Sequence, residues 1–336
     1  MGTGGRDRGR LARLLMLEQL SFMTSVATVA GIYAVLALGL NIHWGETGLL
    51  NFGHVAFFAV GAYTTAILTI PSPTATQAYS FGFGLPVVVG IVGGCIAAGL
   101  VAVLLGIPTL QLDEEYLAIV SIGLAEILRH VMMNENWLTG GVAGLYGIDR
   151  PLRGVIPPEA YDFFYLGLVV LAVGLCYAYS RRLKQSPFGR VLRSIRDDEE
   201  ASIALGKHTF RYRMQAFVVG GVMAGLAGAL WAHYATALTP TAFGANITFL
   251  TWVSLIVGGS GNAKGAILGA GLIIAFREAT RYLPDLYGLG DIIPTLRLIL
   301  VGALVIVTIR YRPDGLLPER DISYAEYCKR VEYGGE

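Results

Sequence analysis

Between Thr47 and Leu112, and again between Met214 and Ala263, the chain carries no Asp, Glu, Lys or Arg. Soluble domains carry about a quarter of their residues as charges. Here only 15% of the 336 residues are charged, 54% are hydrophobic, and the mean hydropathy is +0.59. A bilayer accepts such runs, because a spanning helix needs about 20 mostly apolar residues and satisfies its own backbone. The chain therefore reads as an all-α polytopic membrane protein. A net charge of +1 gives no reason to invoke nucleic acid.

Apolar segments suited to spans cover residues 21–40, 49–70, 85–106, 116–133 and 163–180, then 212–234, 247–258, 265–282 and 292–309. That suggests roughly eight to ten transmembrane helices, with broken or re-entrant pieces, since 247–258 is too short to cross alone. The first segment follows Arg6, Arg8, Arg10 and Arg13. It is longer than the ~7–15 apolar residues of a signal peptide, so it reads as a span. The organisation expected is a cytoplasmic segment 1–20, a membrane domain 21–310 and a cytoplasmic tail 311–336. Segments 48–64 and 247–269 each join a short apolar piece to a Gly-rich break and a further apolar helix, which suggests an internal repeat.

Thirteen charged residues crowd between Arg181 and Arg213, nine of them Lys or Arg. With the N-terminal arginines and Arg310, Arg312, Arg320, Lys329 and Arg330, they place the N-terminus, the loop 181–213 and the tail in the cytoplasm. Five upstream segments conflict with this, because an even number is required. The suspects are 49–70, interrupted by Asn51, Gly53, His54 and Gly61, and 116–133, which holds Glu126 and Arg129.

Within the loop, residues 190–206 predict an amphipathic helix with an apolar stripe of Val191, Leu192, Ile195, Ile203 and Leu205. Arg193 would face Asp197, and Arg196 would face Glu199 and Glu200, at helical spacing. Such a helix is either a self-stabilised solvated loop or a docking element for a cytosolic partner.

Glu200-Ala-Ser-Ile-Ala-Leu-Gly206 resembles the E-A-A-x-x-x-G loop of ABC importer permeases, with Ser202 at the second Ala. The segment 186–217 around it is similar to permeases of branched-chain amino acid ABC importers of the LivM type. So are 37–64, 116–129, 138–148, 227–234, 257–265 and 312–317. At Gln111–Glu115 the chain is acidic where that family has a basic, Gly-containing turn. The resemblance implies a coupling helix that sits in a groove of an ATPase subunit. Arg190, Arg193, Arg196, Asp197, Glu200, Ala201 and Gly206 are its candidate residues. It also implies two ABC ATPase subunits, a second, LivH-like permease in a heterodimer, and an extracytoplasmic substrate-binding protein. No G-x-x-x-x-G-K-[ST] occurs, so ATP is expected on the partners and no cofactor on this chain.

Polar residues within spans mark pathways by default. Asn51, His54 and Asn246 are candidates for a translocation path, although Asn51 could instead cap the helix running to Thr69 and His54 could bond a backbone group. Glu126 and Arg129 could pair with each other or serve a gate, and His233 reads as structural. Gly221 and Gly225, and Gly261, Gly265 and Gly269, recur every four residues. That spacing allows close helix packing, within the chain or against a second permease. Three cysteines and five scattered histidines form no metal-spaced set. Rival readings are a permease for urea or short amides, and a stand-alone ion-coupled transporter or channel. The latter would need ionisable groups in the charge-free spans, which offer only His54 and His233.

Overall fold

The computed structural model describes residues 4–72, 79–279 and 293–319. Helix α1 (Gly4–Asn41) continues through a π turn (Ile42–Glu46), followed by α2 (His54–Thr69), α3 (Val87–Thr109), α4 (Glu114–Asn134) and the short α5 (Asn136–Thr139). Strand β1 (Leu145–Tyr146) precedes α6 (Pro158–Gln185), α7 (Pro187–Asp197), α8 (Glu199–Ala204) and α9 (Thr209–Ala235). Strand β2 (Ala237–Leu238), a 3-10 turn (Pro240–Ala242), α10 (Ala245–Gly258), α11 (Ala263–Ala279) and α12 (Ile293–Tyr311) complete the order. Among the described residues, six helical segments are long and apolar enough to cross a membrane, and His54–Thr69 and Ile299–Tyr311 are shorter apolar helices. The protein is an all-α polytopic membrane protein; among the described residues its strands are one two-residue antiparallel pair, Leu145 with Leu238 and Tyr146 with Ala237.

α3 shows why these helices belong in lipid. Val88, Val92, Ile96, Leu100 and Leu104, four residues apart, are all exposed along one face. In water that stripe would be a large apolar patch. The opposite face carries Gly90, Gly94, Ala98, Ala102 and Gly106, all buried. These small residues admit close contact with α2 and α9. A Cβ on Gly221 of α9 would sit 2.8 Å from the Ala102 methyl, and one on Gly225 would meet Ala98. Gly265 and Gly269 of α11 lie against Gly258 and Ser254 of α10 in the same way. Gly221, Gly225, Gly265 and Gly269 thus serve helix packing within the chain, whereas Gly261 lies in the α10–α11 turn with φ +75°.

Two faces of the molecule are defined by what meets there. At one, Arg193 of α7 reaches Glu46 at the end of the π turn, and Arg213 at the start of α9 reaches Glu114 at the start of α4. At the other, Ser25 of α1 meets Tyr234 at the end of α9 at 2.6 Å, and β1 pairs with β2. α1 therefore runs toward the face that carries the charged loop. α1, α2, α3, α4 and α6 alternate in direction, so all five upstream segments are kept. The N-terminus is expected on the loop face, yet Ser25 of α1 lies at the face opposite the loop. Five packed helices set the side, whereas charge bias is only a tendency of short loops. Glu319, after α12, returns to the loop face. Arg320, Lys329 and Arg330 lie outside the described residues.

The suspected interruption in 49–70 is real but does not remove a crossing. Residues 47–53 are irregular, and the helix begins only at His54. The 247–258 piece, expected to be too short to cross alone, is continuous within α10, and with the turn before it Pro240–Gly258 is one of the six segments long and apolar enough to cross. Glu126 and Arg129 pair with each other at 2.7 Å.

Candidate coupling and translocation site

The charged loop folds as two helices, not the one amphipathic helix expected over 190–206. Pro187 at the first turn and Ser186, whose Oγ accepts from Gly189 N at 3.1 Å, start α7. At Asp198 the backbone turns extended (φ −158°, ψ 104°). The Asp198 carboxylate then accepts from Ala201 N at 2.9 Å and caps α8. Gly206 ends the unit with φ +76°, a conformation that favours glycine. A side chain that can cap the next helix competes with continuing the first. The break dissolves the expected charge pairs along one helix: Arg193 does not meet Asp197, nor Arg196 Glu199 or Glu200. Arg196 instead touches its neighbour Asp197 at 3.2 Å.

The loop arginines reach other elements. Arg193 donates to Glu46 Oε2 at 3.2 Å and to the Lys184 carbonyl at 3.1 Å. Arg196 donates to the Gly45 carbonyl and to Glu319 Oε2, the latter at 3.0 Å. Lys184 donates to Glu319 Oε1 and to the Gly261 carbonyl, both at 2.5 Å. Asn41 closes the set by accepting from Gly261 N at 2.9 Å. One cluster of three cations and two carboxylates thus joins α6, α7, the π turn of α1, the α10–α11 turn and the segment after α12. Burial opposes the charge on Arg196, but Glu319 and Asp197 outweigh it and raise its pKa above the ordinary arginine value. A second tie holds α8: Arg213, buried at the start of α9, donates to Glu199 at 2.6 Å and faces Glu114 at 3.7 Å. The acidic turn 111–115 is therefore at the loop face, beside a cavity of about 490 Å³ lined by Glu114, Glu199 and Arg213.

Leu192 and Ile195 are buried against the membrane helices, whereas Ile203 and Leu205 are 55% and 78% exposed. With Arg190, Asp197, Glu200, Ala201 and Gly206, also exposed, they form an outward surface on a loop pinned at both ends. The candidates Arg193 and Arg196 face inward and anchor the loop.

Asn51 and His54 lie deep in the chain, 1% and 0% exposed. Asn51 does not cap α2 directly. Its Oδ1 accepts from Gly53 N at 2.9 Å, and its Nδ2 donates to His43 Nδ1 at 3.1 Å. His43 Nε2 donates to the Phe217 carbonyl at 2.9 Å, and His54 Nε2 donates to the Leu36 carbonyl at 3.1 Å. The two imidazoles pack edge to face, 5.1 Å apart. These bonds tie α1, α2 and α9 together, with His43 inside the π turn itself, a distortion often found at functional sites. Asn246 is exposed in the first turn of α10, away from this group.

The sequence did not single out Glu46, Lys184, Arg213, Glu319 and His43, and it paired Glu199 with Arg196 where the structure pairs it with Arg213. Glu46 had a signal: it is the lone charged residue between Glu18 and Asp113. A charge so placed demands a partner. The partners of Lys184, Glu46 and Glu319, come from opposite ends of the chain and leave no local trace.

Comparison with known proteins is consistent throughout. High-affinity branched-chain amino acid transport system permease protein LivM of Escherichia coli K12 is 31% identical, over 92% of this chain and 74% of its own length. A probable LivM permease of Methanocaldococcus jannaschii is 28% identical over 90% of this chain and 94% of its own. The LivH permease of Escherichia coli K12 is 26% identical over 90% and 97%. No solved structure matches. The model of the family described as branched-chain amino acid transport system / permease component matches residues 22–309, nearly the whole membrane domain, and the chain belongs to that family.

Proposed function

We propose that this chain is one of two permease subunits of an ATP-driven importer for leucine, isoleucine and valine. The second subunit is a LivH-like permease, and two ATPase subunits bind and hydrolyse the ATP. An extracytoplasmic binding protein selects the substrate. The loop 181–213 and the segment ending at Glu319 face the cytoplasm of a prokaryotic cell, and the start of α1 faces outward. Arg190, Asp197, Glu200, Ala201, Ile203, Leu205 and Gly206 meet the ATPase.

The observation that carries this reading is the construction of the loop. α7 and α8 present an exposed surface with two apolar side chains, while Arg193, Arg196 and Arg213 tie the same loop rigidly to α1, α9 and the tail. A self-stabilised solvated loop needs neither. A push on α8 reaches the π turn through Arg193 and Arg196, and from there the buried His43–Asn51–His54 group. Closure of the ATPases thus has a packed route into the membrane.

The test is uptake into proteoliposomes that contain both permeases, the ATPases and the binding protein, with labelled leucine, isoleucine, valine and urea. ATP-dependent amino acid uptake that is abolished by Glu200→Lys and Gly206→Trp is expected. Uptake of urea alone would overturn the substrate, and full uptake by both variants would overturn the docking surface.

A further inference from the structure

A cavity of about 500 Å³ opens at the face opposite the loop, between α1, the start of α6 and the end of α9. Its volume lies in the ~300–1,000 Å³ range of small-molecule sites. Several of its neutral polar groups are already satisfied. Ser25 and Tyr234 share a hydrogen bond at 2.6 Å, and the Tyr165 hydroxyl donates to the Leu230 carbonyl at 2.5 Å. Four groups are left over.

Arg150 stacks its guanidinium over the Tyr161 ring at 5.6 Å, yet neither Arg150 nor Asp162 enters an ion pair among the described residues. The Tyr161 hydroxyl and His233 Nε2 are buried without a hydrogen-bond partner. His233 is 1% exposed. Its Nδ1 donates to the Asp149 carbonyl at 2.8 Å, which leaves Nε2 as a bare acceptor. Buried polar atoms without partners are uncommon and call for an occupant. One cation, one anion, one hydroxyl and one bare acceptor around a cavity with aromatic walls complement a small zwitterion. Arg150 suits a carboxylate, Asp162 and His233 Nε2 suit an ammonium, and the tyrosine rings suit an apolar side chain.

We infer that this cavity binds the transported amino acid as a zwitterion, as a holding site on the face where the binding protein delivers it. The inference rests on the substrate reading above. The headgroup of phosphatidylethanolamine carries the same pair of charges, so the experiment separates the two sources.

The purified complex of permeases and ATPases, without binding protein, is placed in phosphatidylcholine nanodiscs and titrated with labelled leucine. Saturable binding is expected. Arg150→Gln and Asp162→Asn should each weaken it about tenfold or more, and Arg150→Lys should weaken it less. Isovalerate and isopentylamine, each lacking one charge, should compete far more weakly than leucine. Thermal unfolding of each variant confirms that it is folded; Asp162 is exposed, so its isosteric change does not threaten the fold. Leucine binding that ignores both substitutions would overturn the site. So would retention of phosphatidylethanolamine that Arg150→Gln abolishes while leucine does not bind. Leucine uptake by the complete wild-type system is measured alongside. Its loss would overturn the substrate reading, whereas intact uptake without variant-sensitive binding would overturn this site alone.

Discussion

At the loop face, Lys184, Arg193, Arg196, Glu46 and Glu319 satisfy one another across four elements, whereas at the opposite face Arg150 and Asp162 stand beside a cavity without an ion pair among the described residues. Both groups are small sets of charge at the edges of an apolar body. In the first, every carboxylate oxygen of Glu46 and Glu319 has a cation within 4 Å, so the charges fix position. In the second, charges and buried acceptors are left over, so the surface is ready to exchange water for a ligand. A satisfied network transmits force between elements, and an unsatisfied one recognises. That division suits a transporter whose energy enters at one face and whose substrate enters at the other.

The contrast can be broken most sharply at Glu46. Its side chain is 4% exposed and faces Arg193 at 3.2 Å and Lys184 at 3.9 Å. Removing one partner of a buried ion pair costs about 3–5 kcal/mol. Because Arg193 and Lys184 are 22% and 31% exposed, water relieves part of that, and about 2–3 kcal/mol is expected for Glu46→Gln. Thermal unfolding in detergent measures it, with Asp162→Asn as the counterpart at the far face, where no bond is broken. Equal midpoints for the two variants would remove the distinction between the faces.

Glu319 gives a smaller effect. It is 18% exposed and its partner Arg196 24%, so a coupling energy near 1 kcal/mol is expected from the cycle of Glu319→Gln, Arg196→Gln and the double variant. The functional effect should exceed the thermodynamic one. Without Glu319 the tail no longer holds α7, so ATP hydrolysis should continue while leucine uptake per ATP falls several-fold. The exchange Arg196→Glu with Glu319→Arg should recover part of the coupling, a result that loss of folding would not produce. Smaller again is Arg150→Gln. It removes an exposed-type cation–π contact with Tyr161, about 0.5–1 kcal/mol, and should shift the unfolding midpoint little.

Much of this architecture was legible from residue order. The charge-free runs specified membrane helices and the glycine spacing specified close packing, whereas the dozen apolar residues at 247–258 join the turn before them in one crossing-length segment, Pro240–Gly258. The residues around Glu200 and Gly206 marked the exposed loop surface that is proposed to meet the ATPase. What stayed hidden has physical causes. The break between α7 and α8 depends on Asp198 capping the following turn, a local competition that helical periodicity does not register. The N-terminal arginines pointed inward by charge bias, yet the span from Ser25 to Glu46 runs toward the loop face, packed against α6, α9 and α11. The charge cluster and the far-face cavity join residues more than a hundred positions apart, as Glu46 with Arg193 and Ser25 with Tyr234. Pattern within a window cannot show such pairs.

The smallest effect on stability belongs to Leu205, and it sharpens the comparison from the other side. Leu205 is 78% exposed and Ile203 55%, on a loop whose polar groups are otherwise well satisfied. Leu205→Ser removes no contact inside the chain, so the unfolding midpoint of the isolated permease should stay within about 0.5 kcal/mol of the wild type. Fully burying a leucine side chain contributes about 1.5–3 kcal/mol. If the ATPase covers Leu205, the same substitution should weaken assembly by about tenfold or more, read as the ATPase concentration needed to saturate the permease. An unchanged midpoint with weakened assembly separates the inward anchor of Arg193 and Arg196 from the outward surface of Ile203 and Leu205. Unchanged assembly would mean that the apolar side chains of α8 and its end meet something other than the ATPase. The docking surface would then shrink to the charged residues Arg190, Asp197 and Glu200.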